Sequence, residues 1–207
     1  MFFRKRGLIF SIFRGIIAGG EFETFLTDAK AEKTKLKETK MKKASAARSL
    51  TRAGIVAALY VVLTYLTALF GLANGAIQIR ISEMLCILPV FFFEAVPGLT
   101  VGCLIANMIS GQIAVLDMIF GTLATLIGAV GAYLLRRLPR GLIWLATLPN
   151  IVANTLILPP VIIYAYGSED SYIFITVTIF ISQLLAAGVG GTLLYPVIRK
   201  SKLDRLM

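Results

Sequence analysis

The sequence predicts an all-α integral membrane protein with six transmembrane helices and both termini in the cytoplasm. Composition is the first reason: 57% of the 207 residues are apolar, 15% are charged, and the mean hydropathy is +0.84. A soluble domain is about 45–50% apolar and roughly 25% charged. A chain of this length has too small an interior to bury the excess, so we expect most of it to lie in lipid.

The distribution of charge is the second reason. Only nine charged residues lie between residues 53 and 198, namely Arg80, Glu83, Glu94, Asp117, Arg136, Arg137, Arg140, Glu169 and Asp170. The net charge of +10 therefore comes mainly from the two ends of the chain. Basic ends are typical of cytoplasmic flanks at a membrane, so we expect a lipid bilayer and no nucleic acid as partner.

The third reason is the spacing of the apolar segments. A helix needs about 20 residues to cross a hydrocarbon core of about 30 Å. We expect spans near residues 53–73, 83–96, 97–116, 117–135, 141–166 and 172–198, with Pro97-Gly98 separating the second from the third.

Basic loops support this count. With the N-terminus inside, the stretches 42–52, "RRLPR" and "RKSKLDR" all fall in the cytoplasm, and the acidic loop "GSEDSY" falls outside. Arg80 is the one basic residue left outside, which marks it as a candidate functional residue. The pattern predicts a multi-pass protein of a bacterial plasma membrane.

The first 45 residues are predicted to form a basic cytoplasmic extension, and residues 46–207 the membrane domain. Within the extension, residues 1–20 can form a basic amphipathic surface helix, and "AKAEKTKLKETKMKK" is a solvated run of charges. Alternatively, Met41 is the true start, because "MKKASAARSLTR" before a span is typical of a bacterial membrane protein.

Several classes of chemistry are excluded by residue content. The chain has no histidine, which excludes Ser-His-Asp and Cys-His nucleophiles and HExxH zinc sites. Cys86 and Cys103 lie in apolar segments without CxxC spacing, so neither a metal site nor a disulfide framework is predicted. The sequence contains no GxxxxGK[ST] motif, so it cannot hydrolyse ATP with a P-loop of its own. We therefore expect neither an enzyme nor a bound cofactor.

The densest polar cluster near the membrane is "GAIQIRISEM", residues 75–84. Gln78, Arg80 and Ser82 alternate with isoleucines, and this period of two predicts one polar face on an extended segment. Glu83 then opens the second span, where the helix dipole favours a carboxylate. The alternative is a helix cap with an Arg80–Glu83 ion pair at the surface. Glu94, at the cytoplasmic end of the same span, is expected to be structural.

Other polar residues are predicted at a similar depth. Asn150 and Asn154 are four apart and share one helix face, and Gln183 lies within the sixth span. Each amide alone is as well explained by an interhelical hydrogen bond. Their convergence in the outer half predicts a cavity for a polar ligand. The predicted substrate-binding residues are Gln78, Arg80, Glu83, Asn107, Asp117, Asn150 and Asn154.

Small residues four apart in the first span predict close approach by another helix. Ala53 and Ala57 form an AxxxA motif, and Gly54 and Ala58 repeat the same offset beside it. Such motifs also pack helices within one chain.

The motifs "AIQIRISE" and "FFFEAVPGL", with "AGIVAALYVVLT", "LIAN", "LDMIFGTLATLIGA" and "LPN…AN", resemble the QueT family over about residues 50–200. These are predicted queuosine-precursor transporters, classed as substrate-binding S components of energy-coupling-factor (ECF) transporters. The resemblance implies an S-component-like six-helix bundle that captures a 7-deazaguanine, such as preQ0 or preQ1, at its outer face.

The resemblance also implies partners. Transport would need a transmembrane coupling protein and two ATPase subunits, which accounts for the missing P-loop. S components generally dock through an AxxxA motif on the first helix, which corresponds to Ala53 and Ala57. One departure is Ser182-Gln183, where the family pattern has "GE" on the last helix.

The predicted polar residues suit a deazaguanine. Its ring N1–H and exocyclic N2–H are donors that one carboxylate can accept together, and Glu83 and Asp117 are the external carboxylates. The second carboxylate could pair with an aminomethyl cation. Gln78, Asn107 and Asn154 could then contact O6 and the rest of the ring edge.

The alternative function is a self-sufficient, ion-coupled secondary carrier for a small nucleobase- or vitamin-like solute. Such carriers usually contain inverted repeats with paired half-helices. The sequence has no convincing internal repeat and no acidic residue at the centre of a predicted span.

Overall fold

The computed structural model describes residues 21–71, 79–109, 115–167 and 170–201, which are helical and contain no strand. This confirms the predicted all-α class. The α-helices are α1 (Glu21–Leu69), α2 (Ala95–Ile109), α3 (Val115–Leu134), α4 (Leu148–Tyr166), α5 (Tyr172–Gln183) and α6 (Gly191–Lys200). Tighter 3₁₀ helices span Ile81–Val90, Leu135–Arg137 and Arg140–Thr147, and a π-helical segment spans Leu184–Gly190. The predicted surface helix at residues 1–20 lies outside the described residues.

The chain divides into two compact units, Met1–Arg48 and Ser49–Met207. In the first unit the described residues are helical, and most of their described side chains are exposed lysines and other polar groups. The second unit contains every helix after α1 and all the polar clusters described below.

Among the described residues, four helical stretches are long and apolar enough to cross a membrane: Lys30–Leu69, Val115–Arg137, Arg140–Tyr164 and Tyr172–Lys200. The positions of the second and third predicted spans are occupied by shorter apolar helices, Ile81–Val90 and Ala95–Ile109. Ten residues of 3₁₀ helix rise about 20 Å, less than the core thickness of about 30 Å. Length and composition therefore support four of the six predicted spans.

The break between the second and third predicted spans is displaced from Pro97-Gly98. Helix α2 already begins at Ala95, and Pro97 lies in its first turn, where a missing N–H costs no hydrogen bond. Gly98 lies within α2 and packs directly on α1. A Cβ there would lie 2.7 Å from the Ala53 carbonyl oxygen, so the close contact requires glycine. Pro97 and Gly98 therefore lie at the beginning of α2 and allow it to pack against α1, instead of marking the end of the preceding helix.

The 3₁₀ helix Ile81–Val90 is the central element of the second unit. It packs against α3, the π-helical segment and α6, and its apolar side chains lie on several sides. A helix that is apolar all round belongs in the interior. Its buried residues are Ser82, Glu83, Leu85, Cys86, Ile87, Leu88 and Pro89.

Candidate functional site

Two polar clusters lie around the beginning of the 3₁₀ helix, one from Glu83 and the other from Arg80. The central cluster comprises Tyr60, Glu83, Asn150, Asn154 and Gln183, which all lie within helical spans. The end cluster comprises Arg80, Asn107 and Asp117, which lie within two residues of helix ends. All eight side chains are buried.

The central cluster is organised by the Glu83 carboxylate, of which 1% is exposed. The Tyr60 hydroxyl donates to its Oε1 at 2.6 Å, and the Asn150 Nδ2 donates to its Oε2 at 2.8 Å. The same Asn150 nitrogen donates to Gln183 Oε1 at 3.2 Å. The Cys86 thiol, one 3₁₀ turn along, lies 3.4 Å from Glu83 Oε2. Helices α1 and α4 therefore both donate to this carboxylate, and α5 joins the cluster through Asn150.

Asn150 is held in place from two sides. The Asn154 Nδ2 donates to the Asn150 carbonyl at 2.9 Å and to its Oδ1 at 3.2 Å. On the other side, α3 approaches at Gly128, where an added Cβ would lie 2.7 Å from both Cα and Cβ of Asn150. The glycine is therefore needed for the contact that places Asn150 against Glu83.

Glu83 is buried and makes no salt bridge with any other described residue. The salt bridges among the described residues join Arg52 to Glu94 and Arg80 to Asp117. A buried charge is costly unless it is paired or hydrogen-bonded, and here neutral O–H and N–H donors supply the hydrogen bonds. Such a carboxylate can accept equivalent N–H donors from a ligand.

The end cluster is built around the Arg80 guanidinium. Its Nη1 donates to Asn107 Oδ1 at 3.2 Å, and its Nη2 lies 3.4 Å from Asp117 Oδ2. The Asn107 Nδ2 donates to the Asp117 backbone oxygen at 3.4 Å. Arg80 Nε is buried without a hydrogen-bond partner among the described residues. These contacts are longer than the 2.6 and 2.8 Å hydrogen bonds that Glu83 accepts from Tyr60 and Asn150.

Gly121 allows the end cluster to form. A Cβ at this position of α3 would lie 3.1 Å from Asn107 Nδ2 and 3.2 Å from Asp117 Oδ1. As with Gly128 in the central cluster, a glycine of α3 makes room for the amide of a neighbouring helix.

The predicted ligand residues thus fall into two groups. The structure brings Arg80, Asn107 and Asp117 together, and brings Glu83 together with Asn150 and Asn154. Gln78 lies outside the described residues. The described residues therefore do not form the single group of ligand-binding side chains that the sequence predicted.

The surface ion pair offered as an alternative is not formed, because Arg80 pairs with Asp117 and both side chains are buried. The extended segment is shorter than predicted. Arg80 is extended, with φ −105° and ψ 102°, but Ser82 already lies in the 3₁₀ helix and accepts from the Thr64 hydroxyl at 2.7 Å. Ser82 is therefore hydrogen-bonded to α1, whereas the Arg80 side chain contacts Asn107 and Asp117.

Tyr60 was missed by sequence reasoning, and Gln183 was noticed without being placed in the site. Tyr60 and Thr64 are four apart on the buried face of α1. The criterion that selected Asn150 and Asn154, two polar side chains four apart in an apolar span, would have selected this pair too.

Three cavities border the described helices, with volumes of about 290, 430 and 20 Å³. Apolar side chains line most of each wall, and no residue of either cluster is among those lining these three. Within each cluster, the polar side chains hydrogen-bond to one another.

The AxxxA motif is used inside the chain. Ala57 is buried, and a Cβ at Gly102 of α2 would lie 2.9 Å from its carbonyl oxygen. Ala53 has the same relation to Gly98. Helix α2 thus packs against α1 at these two alanines, because glycines on α2 let the two backbones approach closely. Docking of a coupling protein through Ala53 and Ala57 stays a prediction.

The comparison with known proteins covers both clusters. The family described as QueT transporter matches residues 50–200. The chain belongs to the QueT transporter family. As a QueT family member with several helices able to span a bilayer, it is a multi-pass protein of the bacterial plasma membrane.

A named relative of this QueT family member is "Queuosine precursor transporter QueT" of Lactococcus lactis subsp. cremoris (strain MG1363). The two are 38% identical over 91 residues, which is 44% of this chain and 53% of the relative. The matched region thus spans about half the length of the relative. No solved structure matches the chain significantly.

Proposed function

We propose that this chain is the substrate-binding subunit of an ECF-type importer and captures a 7-deazaguanine queuosine precursor. The L. lactis relative is named as a queuosine precursor transporter. The observation that carries the proposal is the Glu83 carboxylate, which is buried, accepts from neutral donors and has no salt-bridge partner in the described part of the chain.

In the proposed complex, Glu83 accepts the ring N1–H and the exocyclic N2–H of the deazaguanine. This bidentate pairing replaces the donors that now satisfy the carboxylate, the Tyr60 hydroxyl and the Asn150 amide. The present and the proposed hydrogen bonds share one charged acceptor and have neutral donors, so the ligand can replace the protein donors without leaving the carboxylate unsatisfied. The released Asn150 amide, with the Asn154 amide that is hydrogen-bonded to it, then contacts the remaining ring edge.

The end cluster has a separate role in the proposal. Arg80 Nε, which is buried without an acceptor among the described residues, suits an acceptor such as O6. Asp117 would pair with an aminomethyl cation at the expense of its 3.4 Å contact with Arg80. Asn107 and Gln78 complete this part of the proposed site.

The proposed topology keeps six spans with both termini in the cytoplasm. The two short helices complete the bundle because Ile81–Val90 is enclosed by other helices and needs no contact with lipid along its whole length. Its Arg80 end and the Asp117 end of α3 are placed at the outer face.

Docking on a coupling protein is proposed for the neighbouring small-residue pair. Gly54 and Ala58 are exposed, and a Cβ on Gly54 would meet nothing within 4 Å. They have the four-residue offset of Ala53 and Ala57 without being covered by α2. Small residues allow another helix to approach closely in lipid.

Calorimetric titration of the detergent-solubilised protein tests substrate capture. The panel is preQ0, preQ1, queuine, guanine, riboflavin and thiamine. We expect one deazaguanine to bind, and Glu83→Gln to weaken it about tenfold to a hundredfold because a charged hydrogen-bond acceptor is lost. Glu94→Gln is the matched control, since that carboxylate pairs with Arg52. Binding that survives Glu83→Gln would remove Glu83 from the site.

Co-purification tests the ECF assignment. A coupling protein and two ATPase subunits should be recovered with the wild-type chain and lost with Gly54→Leu or Ala58→Leu. Val177→Leu, which enlarges an exposed apolar residue on α5, should leave recovery unchanged. Uptake of the deazaguanine by liposomes that contain this chain alone would instead support a secondary carrier.

A further inference from the structure

An apolar groove runs between the Arg140–Trp144 end of the Arg140–Tyr164 stretch and the π-helical segment within the Tyr172–Lys200 stretch. Its volume is about 290 Å³. The residues lining it are Trp144, Thr147, Leu148, Ile151, Leu184, Gly188, Val189, Thr192 and Leu193. Trp144, Leu148 and Leu193 are 46%, 37% and 65% exposed, so the groove opens on the surface that faces lipid.

Two contacts show that the helices bordering the groove are antiparallel. A Cβ at Gly191 would lie 3.3 Å from Thr147 Cγ2, and one at Gly188 would lie 3.5 Å from Ile151 Cδ1. Thr147 is therefore level with Gly191, and Ile151 is level with Gly188. The two helices thus run in opposite directions.

This register brings basic residues to the same end of the groove. From Thr147 back to Arg140 the 3₁₀ rise of about 2.0 Å per residue gives about 14 Å. From Gly191 forward to Lys200 the α-helical rise of about 1.5 Å per residue gives about 13.5 Å. Arg140 and Lys200 thus lie level with each other, with Arg199 beside them.

We propose that this groove is a site for an anionic phospholipid, with one acyl chain along the groove and the phosphate held by Arg140, Arg199 and Lys200. Arg140 and Lys200 are exposed, and Arg199 is half-buried. An apolar groove that ends in several cations matches a molecule with an apolar tail and an anionic head. A basic residue at a membrane surface favours anionic over zwitterionic lipid by about 1 kcal/mol, or about fivefold.

Trp144 is the single tryptophan of the chain, so its fluorescence reports this groove alone. The test reconstitutes the full chain in phosphatidylcholine vesicles containing a small fraction of phosphatidylglycerol or phosphatidylcholine brominated on the acyl chain. We expect the brominated phosphatidylglycerol to quench Trp144 at a mole fraction at least about fivefold lower. Equal quenching by the two lipids would show ordinary annular contact and overturn the proposal.

Two variants separate headgroup binding from mere proximity. Arg140→Gln with Lys200→Gln should bring the two quenching curves together, whereas Lys42→Gln with Lys43→Gln, in the other unit, should leave the preference intact. Gly188→Leu should instead fill the groove and reduce quenching by the anionic lipid, since a Cβ there makes only ordinary contacts. An unchanged preference in both groove variants would overturn the site even if one variant folds poorly.

Discussion

The central and end clusters are built around Glu83 and Arg80, which are only three residues apart in the sequence. The hydrogen-bonding needs of these two buried side chains are nevertheless met in different ways. Glu83 accepts short hydrogen bonds of 2.6 and 2.8 Å from neutral donors. Arg80 faces a carboxylate, but its contacts are 3.2 and 3.4 Å long and its Nε has no partner among the described residues. One cluster is a carboxylate held by short hydrogen bonds and with no salt bridge among the described residues, and the other is an ion pair with longer contacts.

The difference shows how a membrane protein can keep charge in its interior. Hydrogen bonds from neutral groups hold a carboxylate that remains able to accept from a ligand. In an ion pair the two charges neutralise each other. Removing one partner leaves the other as a buried, unpaired charge, which carries a large desolvation penalty. The two clusters should therefore respond differently to removal of a single group.

Breaking the ion pair should have the largest effect on stability. Arg80→Met leaves Asp117 as a buried charge without its cation, and this should cost about 3–5 kcal/mol in the free energy of unfolding. The measurement is denaturant unfolding in detergent. The double variant Arg80→Met with Asp117→Leu should recover most of the loss, because an apolar pair replaces the ionic one. A double variant as unstable as the single one would contradict the pairing.

Loss of the tyrosine hydroxyl should weaken the central cluster by less. Tyr60→Phe removes the 2.6 Å donor to Glu83, and a hydrogen bond to a charged group is worth about 1.5–3 kcal/mol. Thermal unfolding in detergent measures the effect. Tyr65→Phe, on the same helix with 55% of the residue exposed, should be neutral. Equal effects of the two variants would mean that the hydroxyl contact does not stabilise Glu83.

Filling the space at Gly128 should disturb the same cluster sterically. Gly128→Ala pushes a methyl group into Asn150, and overpacking of this kind costs about 1–3 kcal/mol. Gly54→Ala adds the same methyl group where nothing lies within 4 Å, so its melting temperature should not fall. If the alanine at 128 is tolerated as well as the one at 54, Asn150 is not held by that contact.

A third carboxylate supplies a reference with the smallest effect. The pKa of Glu94 is held below its ordinary value of 4.5, first by its own backbone N–H and then by Ser49 and Arg52, while partial burial opposes them. Because the folded state lowers this pKa, its stabilisation is present above pH 4.5 and disappears as the pH falls through the folded value.

The expected loss is at most about 1 kcal/mol, since Glu94 is partly exposed and such pairs are weak. Unfolding curves below pH 4.5 should show this component in the wild type and lack it in Glu94→Gln. An identical pH profile in the two proteins would exclude Glu94 as its source.

Much of the fold could be predicted because lipid imposes simple rules. The apolar composition and the positions of the basic stretches predicted helices, and the described residues are mostly helical, with short turns between the helices. The two short helices were harder to predict from the sequence. The requirement of about 20 residues applies to helices that cross the bilayer in contact with lipid, and Ile81–Val90 is enclosed by protein. The error at Pro97-Gly98 has the same origin: the role of that pair depends on α2 touching α1.

The candidate site was predicted by residue type and only partly by arrangement. Depth along a helix can be read from a sequence, so Glu83, Asn107, Asp117 and Asn150 were identified as polar groups in apolar surroundings. Which of them meet depends on how the helices rotate and cross. Tyr60 was missed for that reason, since its hydroxyl matters only because α1 turns it toward Glu83.

The sequence by itself determined that the chain is an all-helical protein with buried polar residues, because hydropathy and charge position are properties of the chain. Tertiary structure alone decided that these residues form two clusters and that Ala53 and Ala57 pack inside the protein. It did so through glycines 98, 102, 121 and 128, where a missing Cβ lets neighbouring helices approach. A glycine in a sequence does not reveal what it will contact, because that contact exists only once the helices have packed.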